Sequence, residues 1–241
     1  MVVAFSFCIY NPHNPLYYNG LLENIEMIHK HFPTAYTYVY VGNDVPDWFV
    51  IELRAREKMQ HVIVRFTKVI GAANMVYRFF AIDEPEVDIM FCRDADSRVH
   101  WKDRWAINSF LNSNARCHVI RDNVQHQTAI MGGIWGMRKV NGLSIRRLYT
   151  EYLNTPDNHD HGVGHDQNFL IDKVYPKLQN SVLIHTSQVW KRYKDEVLTA
   201  FPFPYTNDIY CGRIENINYV EPPMPVEPPE EPTRTLSFLR K

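Results

Sequence analysis

Apolar residues fall along this chain in two alternating rhythms. Val2 to Tyr10 is a short, nearly continuous apolar run, the signature of a strand buried on both faces, and the turn-rich Asn11-Pro12-His13-Asn14-Pro15 follows it. A helical period then runs from about Gly20 to His31. Tyr36 to Gly42 reads as a second strand, Asp47 to about Met59 as a helix, His61 to Phe66 as a third strand and Ala72 to Ile82 as a helix. Ile89 to Cys92 is a fourth buried strand. The repeated strand and helix imply right-handed crossovers and a mainly parallel sheet with helices on both faces.

Beyond a helix at Trp101 to Leu111 the connections shorten. Strands are expected at Cys117 to Arg121 and at Ala129 to Arg138, which carries glycines at 132, 133 and 136. Helices follow at Leu143 to Leu153 and Asp166 to Leu178, separated by the polar loop Asn154 to His165, and Val182 to His185 is the last strand. The chain breaks character once, at Glu221 to Pro232, where alternating Pro and Glu suit extended polyproline II rather than a packed element. Residues 1–220 are therefore expected to form one domain, and 221–241 a Pro-rich tail or linker.

Composition changes this picture little. With 45% hydrophobic and 22% charged residues in 241, the chain can bury a large core, and a formal net charge of −1 leaves no electrostatic footprint for nucleic acid. Any phosphate site must be local. The four cysteines, at 8, 92, 117 and 211, are scattered without a C-x-x-C pair and read as reduced core thiols. No apolar run is long enough for a membrane span and the first residues lack a basic region, which points to a cytoplasmic protein.

The chemistry concentrates where the fourth strand ends, in Arg93-Asp94-Ala95-Asp96-Ser97-Arg98. Ligands of open α/β sheets bind at the carboxyl edge of the strands. In extended backbone, carboxylates two residues apart point to one side, so Asp94 and Asp96 can share a hard divalent cation. The alternative is local: Asp96 or Ser97 caps the helix that begins at Trp101.

Five blocks in fixed order then support a family. Arg93 to Arg98, His118-Val119-Ile120-Arg121-Asp122, Ile130-Met131-Gly132-Gly133-Ile134-Trp135-Gly136, Gly164-His165-Asp166-Gln167-Asn168-Phe169-Leu170 and Ile184-His185 resemble a GT-A type glycosyltransferase. The chain is most similar to the small glycosyltransferase domains of large algal DNA viruses and more distantly to glycogenin-like enzymes, over roughly residues 1–190. The resemblance implies a GT-A (Rossmann-like) mixed sheet, with Asp94, Asp96 and His185 as ligands of Mn²⁺ or Mg²⁺. It places Phe7, Tyr10, Asn43, Asp44, Arg78, Arg93 and Ala95 around the nucleotide, and Asp122, His126, Gly132, Gly133, Trp135 and Gln167 around the sugar or acceptor. Asp166 becomes either the base that deprotonates an acceptor hydroxyl or a carboxylate holding sugar hydroxyls.

Each residue also has a plain structural role. His185 suits a strand histidine bonded to a backbone carbonyl, and Arg78 a surface ion pair. The glycines suit a bulge, Trp135 the core, and Asp166 the dipole of the helix it opens. The function implied is transfer of a hexose or deoxyhexose from a nucleoside diphosphate sugar, a UDP-sugar first, to a glycan or glycoprotein. The rivals are a metal-dependent nucleotidyltransferase, against which stands the absence of a Gly-rich phosphate loop followed by lysine, and a non-catalytic nucleotide-sugar binding module.

Overall fold

The computed structural model describes residues 1–11, 14–155, 162–187, 196–203, 205 and 209–214. The Pro-rich tail, residues 12 and 13 of the first turn and the middle of the 154–165 loop lie outside them. Among the described residues eight strands form one mixed sheet in the order β3-β2-β1-β4-β6-β5-β7-β8. They are β1 (Val3–Ile9), β2 (Tyr36–Val41), β3 (Val62–Phe66), β4 (Ile89–Arg93), β5 (Cys117–Arg121), β6 (Ile134–Arg138), β7 (Val182–Thr186) and β8 (Leu198–Ala200). Only β6 runs antiparallel to its neighbours, β4 and β5. The carboxyl ends of β1, β4, β5 and β7 and the start of β6 therefore share one edge.

The period-2 pattern of the strands becomes two cores. Ala4 and Cys8 of β1, Tyr38 and Tyr40 of β2 and Met90 and Cys92 of β4 face one side. Phe5, Phe7, Ile9, Val39, Val41, Ile89 and Phe91 face the other. On the second side lie α1 (Pro15–His31), α2 (Asp47–Glu57) and α3 (Trp101–Leu111). The first side is covered by the helix Gly71–Asp83, α4 (Ile145–Leu153), α5 (His165–Phe169) and α6 (Tyr175–Leu178). Burial of apolar strands on both faces is what an almost wholly parallel sheet requires. No described helix is long and apolar enough to cross a membrane.

Five details differ from the expected elements, the first being that α1 begins at Pro15 rather than about Gly20. Gly71–Asp83 is wound as a 3-10 helix and tied to the sheet by Asn74, whose Nδ2 donates to Ile9 O at 2.9 Å and Tyr40 O at 3.0 Å. Those buried bonds offset the poorer hydrogen-bond geometry of tight winding. α5 and α6 are joined by a π turn, Leu170–Val174, a widening next to Pro176, whose ring crowds the carbonyl four residues earlier. Strand pairing near 129–138 starts only at Ile134, because the Gln167 side chain takes both Ile130 O and the Gly132 N–H (3.0 Å). Finally, β8 extends the sheet beyond β7, so Val182–Thr186 is not the last strand.

Candidate active site

β4 delivers Asp94 to the shared edge, and the chain then turns rather than staying extended. Ser97 Oγ donates to Asp94 O at 3.2 Å, so residues 94–97 form a tight turn and the alternating geometry expected for the two carboxylates does not apply. Helix α1 clamps this turn. A Cβ on Gly20 would lie 2.1 Å from Ala95 O, so only glycine permits the approach. Asn24 Nδ2 donates to Ser97 O at 2.7 Å, its Oδ1 accepts from Val99 N–H at 3.0 Å, and Arg98 Nε pairs with Glu23 at 2.6 Å. Neither Asp96 nor Ser97 caps α3; that role falls to His100, whose Nδ1 accepts the Lys102 N–H.

Arg78 spans the site. Its guanidinium pairs with Asp94 through Nη1 and with Asp166 Oδ2 at 2.8 Å through Nη2. The Asp94 side chain is 43% exposed, against 7% for both Arg78 and Asp166, so among these three Asp94 is the group a ligand reaches first. Arg78 is thus no surface ion pair: both its carboxylates belong to the cleft. The glycines open the other wall. A Cβ on Gly132 would sit 2.7 Å from Arg78 Nη2 and 3.2 Å from Asp166 Oδ2, and one on Gly133 only 1.8 Å from Asp94 Oδ2. Together with Met75, His126, Met131, Val163 and Gly212, these residues and Gln167 line a cleft of about 240 Å³.

Asp96 carries the main electrostatic anomaly. Burial, and then the neighbouring Asp94 charge, push its carboxyl from 3.8 up to about 6, while a hydrogen bond from Tyr17 opposes the rise. Asp94 and Asp96 could both offer carboxylate oxygens to a hard divalent cation, the donor type such ions prefer. Among the described residues no three His, Cys, Asp or Glu side chains converge as a ready-made metal cage. Tyr10, at the end of β1, feels the charges of Arg78, Asp166 and Asp94, although burial is the larger cause of its raised phenol pKa. Cys8 lies beneath the same three groups, its thiol pushed up to about 12 by burial and so inert.

The structure does not bring the remaining expected residues to the cleft. His185 is fully buried: Nδ1 meets His118 Nε2 at 2.9 Å and Nε2 meets Ser109 Oγ at 3.1 Å, with Trp105 and Phe201 against the ring. With both nitrogens engaged, it has no lone pair to offer Asp94 and Asp96, which corrects its assignment as third ligand. Arg93 is committed to Asp103 through two bonds of 2.8 and 2.7 Å and to Trp135 O, so it contacts no donor. Phe7 and Trp135 are core residues without exposure. Asp122 is buried, with both oxygens bonded to protein. Ala95 is buried under α1. Asp44 accepts the Gly71 N–H at 3.0 Å and keeps one buried oxygen unpartnered, while Asn43 beside it is exposed.

Sequence reasoning did not find Tyr17, Gly20, Met75, Val163 or Gly212. A glycine inside the apolar face of α1 was a readable sign of close backbone approach. Gly212 carried no such sign.

No protein-family model matches the chain, and no curated protein matches it. Solved structures do. A glycosyltransferase involved in glycosylation of the major capsid of PBCV-1 superposes with a TM-score of 0.50 at 15% identity, covering 77% of this chain and 81% of that one. The galactosyltransferase LgtC, solved with donor and acceptor sugar analogs, gives 0.47 at 12% identity over 78% and 74%. 4-Diphosphocytidyl-2C-methyl-D-erythritol synthase of Anaerococcus prevotii gives 0.47 at 9% over 81% and 92%. The chain has the GT-A type fold, a mixed, mainly parallel sheet with helices on both faces, as its sequence blocks implied.

Proposed function

We propose that this chain is a metal-dependent glycosyltransferase that moves a hexose or deoxyhexose from a nucleoside diphosphate sugar, a UDP-sugar first, to a glycan or glycoprotein acceptor. The observation that carries the reading is the Arg78 bridge between Asp94, at the end of β4, and Asp166, across a cleft whose far wall is side-chain-free at Gly132 and Gly133. Asp94 and Asp96 would hold Mn²⁺ or Mg²⁺, which when bound supplies Lewis-acid stabilisation of the departing diphosphate. The tight turn and α1 hold those carboxylates in place before ligand arrives. Arg78 keeps Asp166 beside Gly132 through Oδ2, and Oδ1 would meet a sugar or acceptor hydroxyl.

In the reaction the bond from the anomeric carbon to the diphosphate oxygen breaks, its electron pair leaving with the nucleotide, and the acceptor oxygen bonds to that carbon. The acceptor proton goes to Asp166 if the configuration inverts, or to the leaving phosphate oxygen if it is retained. Tyr10 after β1, and Asn43 and Asp44 after β2, lie outside the cleft on the same sheet edge and would border the nucleotide. The test is nucleoside diphosphate release with Mn²⁺ over a panel of UDP-, GDP- and dTDP-sugars. Release of UDP that depends on Asp166 is the expected result. Pyrophosphate release from a nucleoside triphosphate and a sugar phosphate would identify a nucleotidyltransferase, and UDP-sugar binding without turnover a binding module; either overturns the proposal.

A further inference from the structure

Several buried ion pairs stitch this fold; apart from the Arg78 pairs inside the cleft, the Lys102–Asp122 pair is tied to it through its neighbours. Asp122 follows the last residue of β5 and is 1% exposed. Its Oδ1 accepts from Lys102 Nζ at 2.7 Å and from Ser187 Oγ, and its Oδ2 accepts the main-chain N–H of Cys211 at 2.9 Å. Neutralising Lys102 needs only the first oxygen. The second is spent on a backbone amide 89 residues away.

That amide belongs to residues 209–214, which lie along the carboxyl edge. Tyr210 O meets His100 Nε2 at 3.0 Å, and Ile214 bridges to Ser97, inside the turn that carries the two carboxylates. Between these anchors Gly212 lines the cleft, with φ +79 and its missing Cβ only 2.9 Å from Ile134 Cγ2. A side chain there meets both a disfavoured backbone and the first residue of β6. The segment is therefore packed against the site rather than draped over it.

Asp122 acts on the cleft a second way. Its own main-chain N–H donates to His126 Nδ1 at 3.0 Å, which leaves the imidazole proton on Nε2. The His126 ring lines the cleft and meets Tyr210 edge-on, with ring centroids 5.9 Å apart. The side chain of Asp122 thus seats one wall, and its main chain sets the tautomer of a histidine in that wall.

We infer that Asp122 is a positioning residue of the donor site: it docks residues 209–214 against the carboxylate turn and orients His126 toward the cleft, without touching the ligand itself. The inference rests on reading the cleft as a nucleotide-sugar site. It also predicts that the turn at 94–98 loosens whenever the Cys211 amide loses its acceptor.

Two double variants isolate that acceptor. Lys102→Met with Asp122→Asn removes both charges and keeps a carbonyl for Cys211; Lys102→Met with Asp122→Leu has nearly the same shape and no acceptor. Amide exchange of the full chain without ligand is followed at residues 94–98 and 209–214, and UDP is titrated in the presence of Mn²⁺. The Asn variant should keep slow exchange and bind UDP within about threefold of the parent. The Leu variant should exchange about tenfold faster in both segments and bind about tenfold more weakly, the equivalent of one hydrogen bond to a backbone amide. Equal exchange and equal affinity in the two variants would overturn the inference. Should the Leu variant not fold, Gly212→Val, which leaves the ion pair intact, is expected to give the same loosening at 94–98; unchanged exchange there refutes the docking role. Failure of the parent to bind UDP with Mn²⁺ would sink the functional reading, whereas the exchange contrast still decides the role of Asp122.

Discussion

Asp96→Asn should make this protein more stable at neutral pH and useless at binding metal. The folded state holds the Asp96 carboxyl at about 6, above its ordinary 3.8, because burial and the Asp94 charge penalise ionisation. A carboxyl raised in this direction leaves its stability contribution intact below about pH 4 and loses it as pH climbs through about 6, since the folded chain releases that proton later than the unfolded one. The gap of about two pH units, at 1.36 kcal/mol each, is about 3 kcal/mol of destabilisation at pH 7. Asparagine never ionises and still accepts a hydrogen bond from Tyr17. The difference between variant and parent should therefore be small at about pH 4 and about 3 kcal/mol in the variant's favour at about pH 7.5, or roughly 5–10 °C in Tm for a chain of this size. Urea or thermal melts at both pH values measure it. Adding Mn²⁺ should reverse the ranking, because only the parent gains stability from binding. A variant that is less stable than the parent at both pH values, or a difference that does not change with pH, refutes the argument.

Gly133→Ala places a Cβ 1.8 Å from Asp94 Oδ2 and should drive that half-exposed carboxylate off Arg78. Melting should fall by only a few degrees, for an overpacking cost of about 1–3 kcal/mol, while Mn²⁺-dependent UDP affinity drops at least tenfold by titration; unchanged affinity counts against the glycine wall. His185→Leu leaves His118 Nε2 without its buried partner, costing about 1–3 kcal/mol by urea melts. The folded variant should still bind UDP with Mn²⁺ normally, and loss of binding at an unchanged Tm would return His185 to the metal.

Much of the fold was legible because strands buried on two faces leave a dense apolar signal. Phe5, Phe7 and Ile9 alternate with Ala4 and Cys8 into two separate cores, and such runs ended within a residue or two of the observed strands. β8 was not legible: three residues, Leu198–Ala200, show no period. Ile130 to Gly133 looked like strand, yet a side chain in the first turn of α5, Gln167, captures its backbone. Where charge and glycine sit together, at Asp94, Gly132, Gly133 and Asp166, the expected residues do line one cleft. Elsewhere a partner on another element has already taken the expected residue. Nothing in the residue types around Arg93 announces that Asp103, on α3, takes its Nε and Nη2, and His185 gives no hint that His118, on the neighbouring strand β5, faces it. Chemistry-bearing residue types are visible in sequence; whether their valences are already spent is not.

The cleft draws on Arg78, Asp94, His126, Gly132, Asp166 and Gly212, no two neighbouring blocks of which could assemble it alone. Each wall depends on a tertiary contact with another, through the Arg78 bridge, the Gln167 amide or the seat of Cys211 on Asp122. A partly folded chain with a formed sheet but an undocked 209–214 segment would have every expected ligand residue and no pocket. If the proposed function holds, nucleotide binding would report completed folding, and in a refolding experiment it should appear in the slowest phase, after secondary structure has stopped changing.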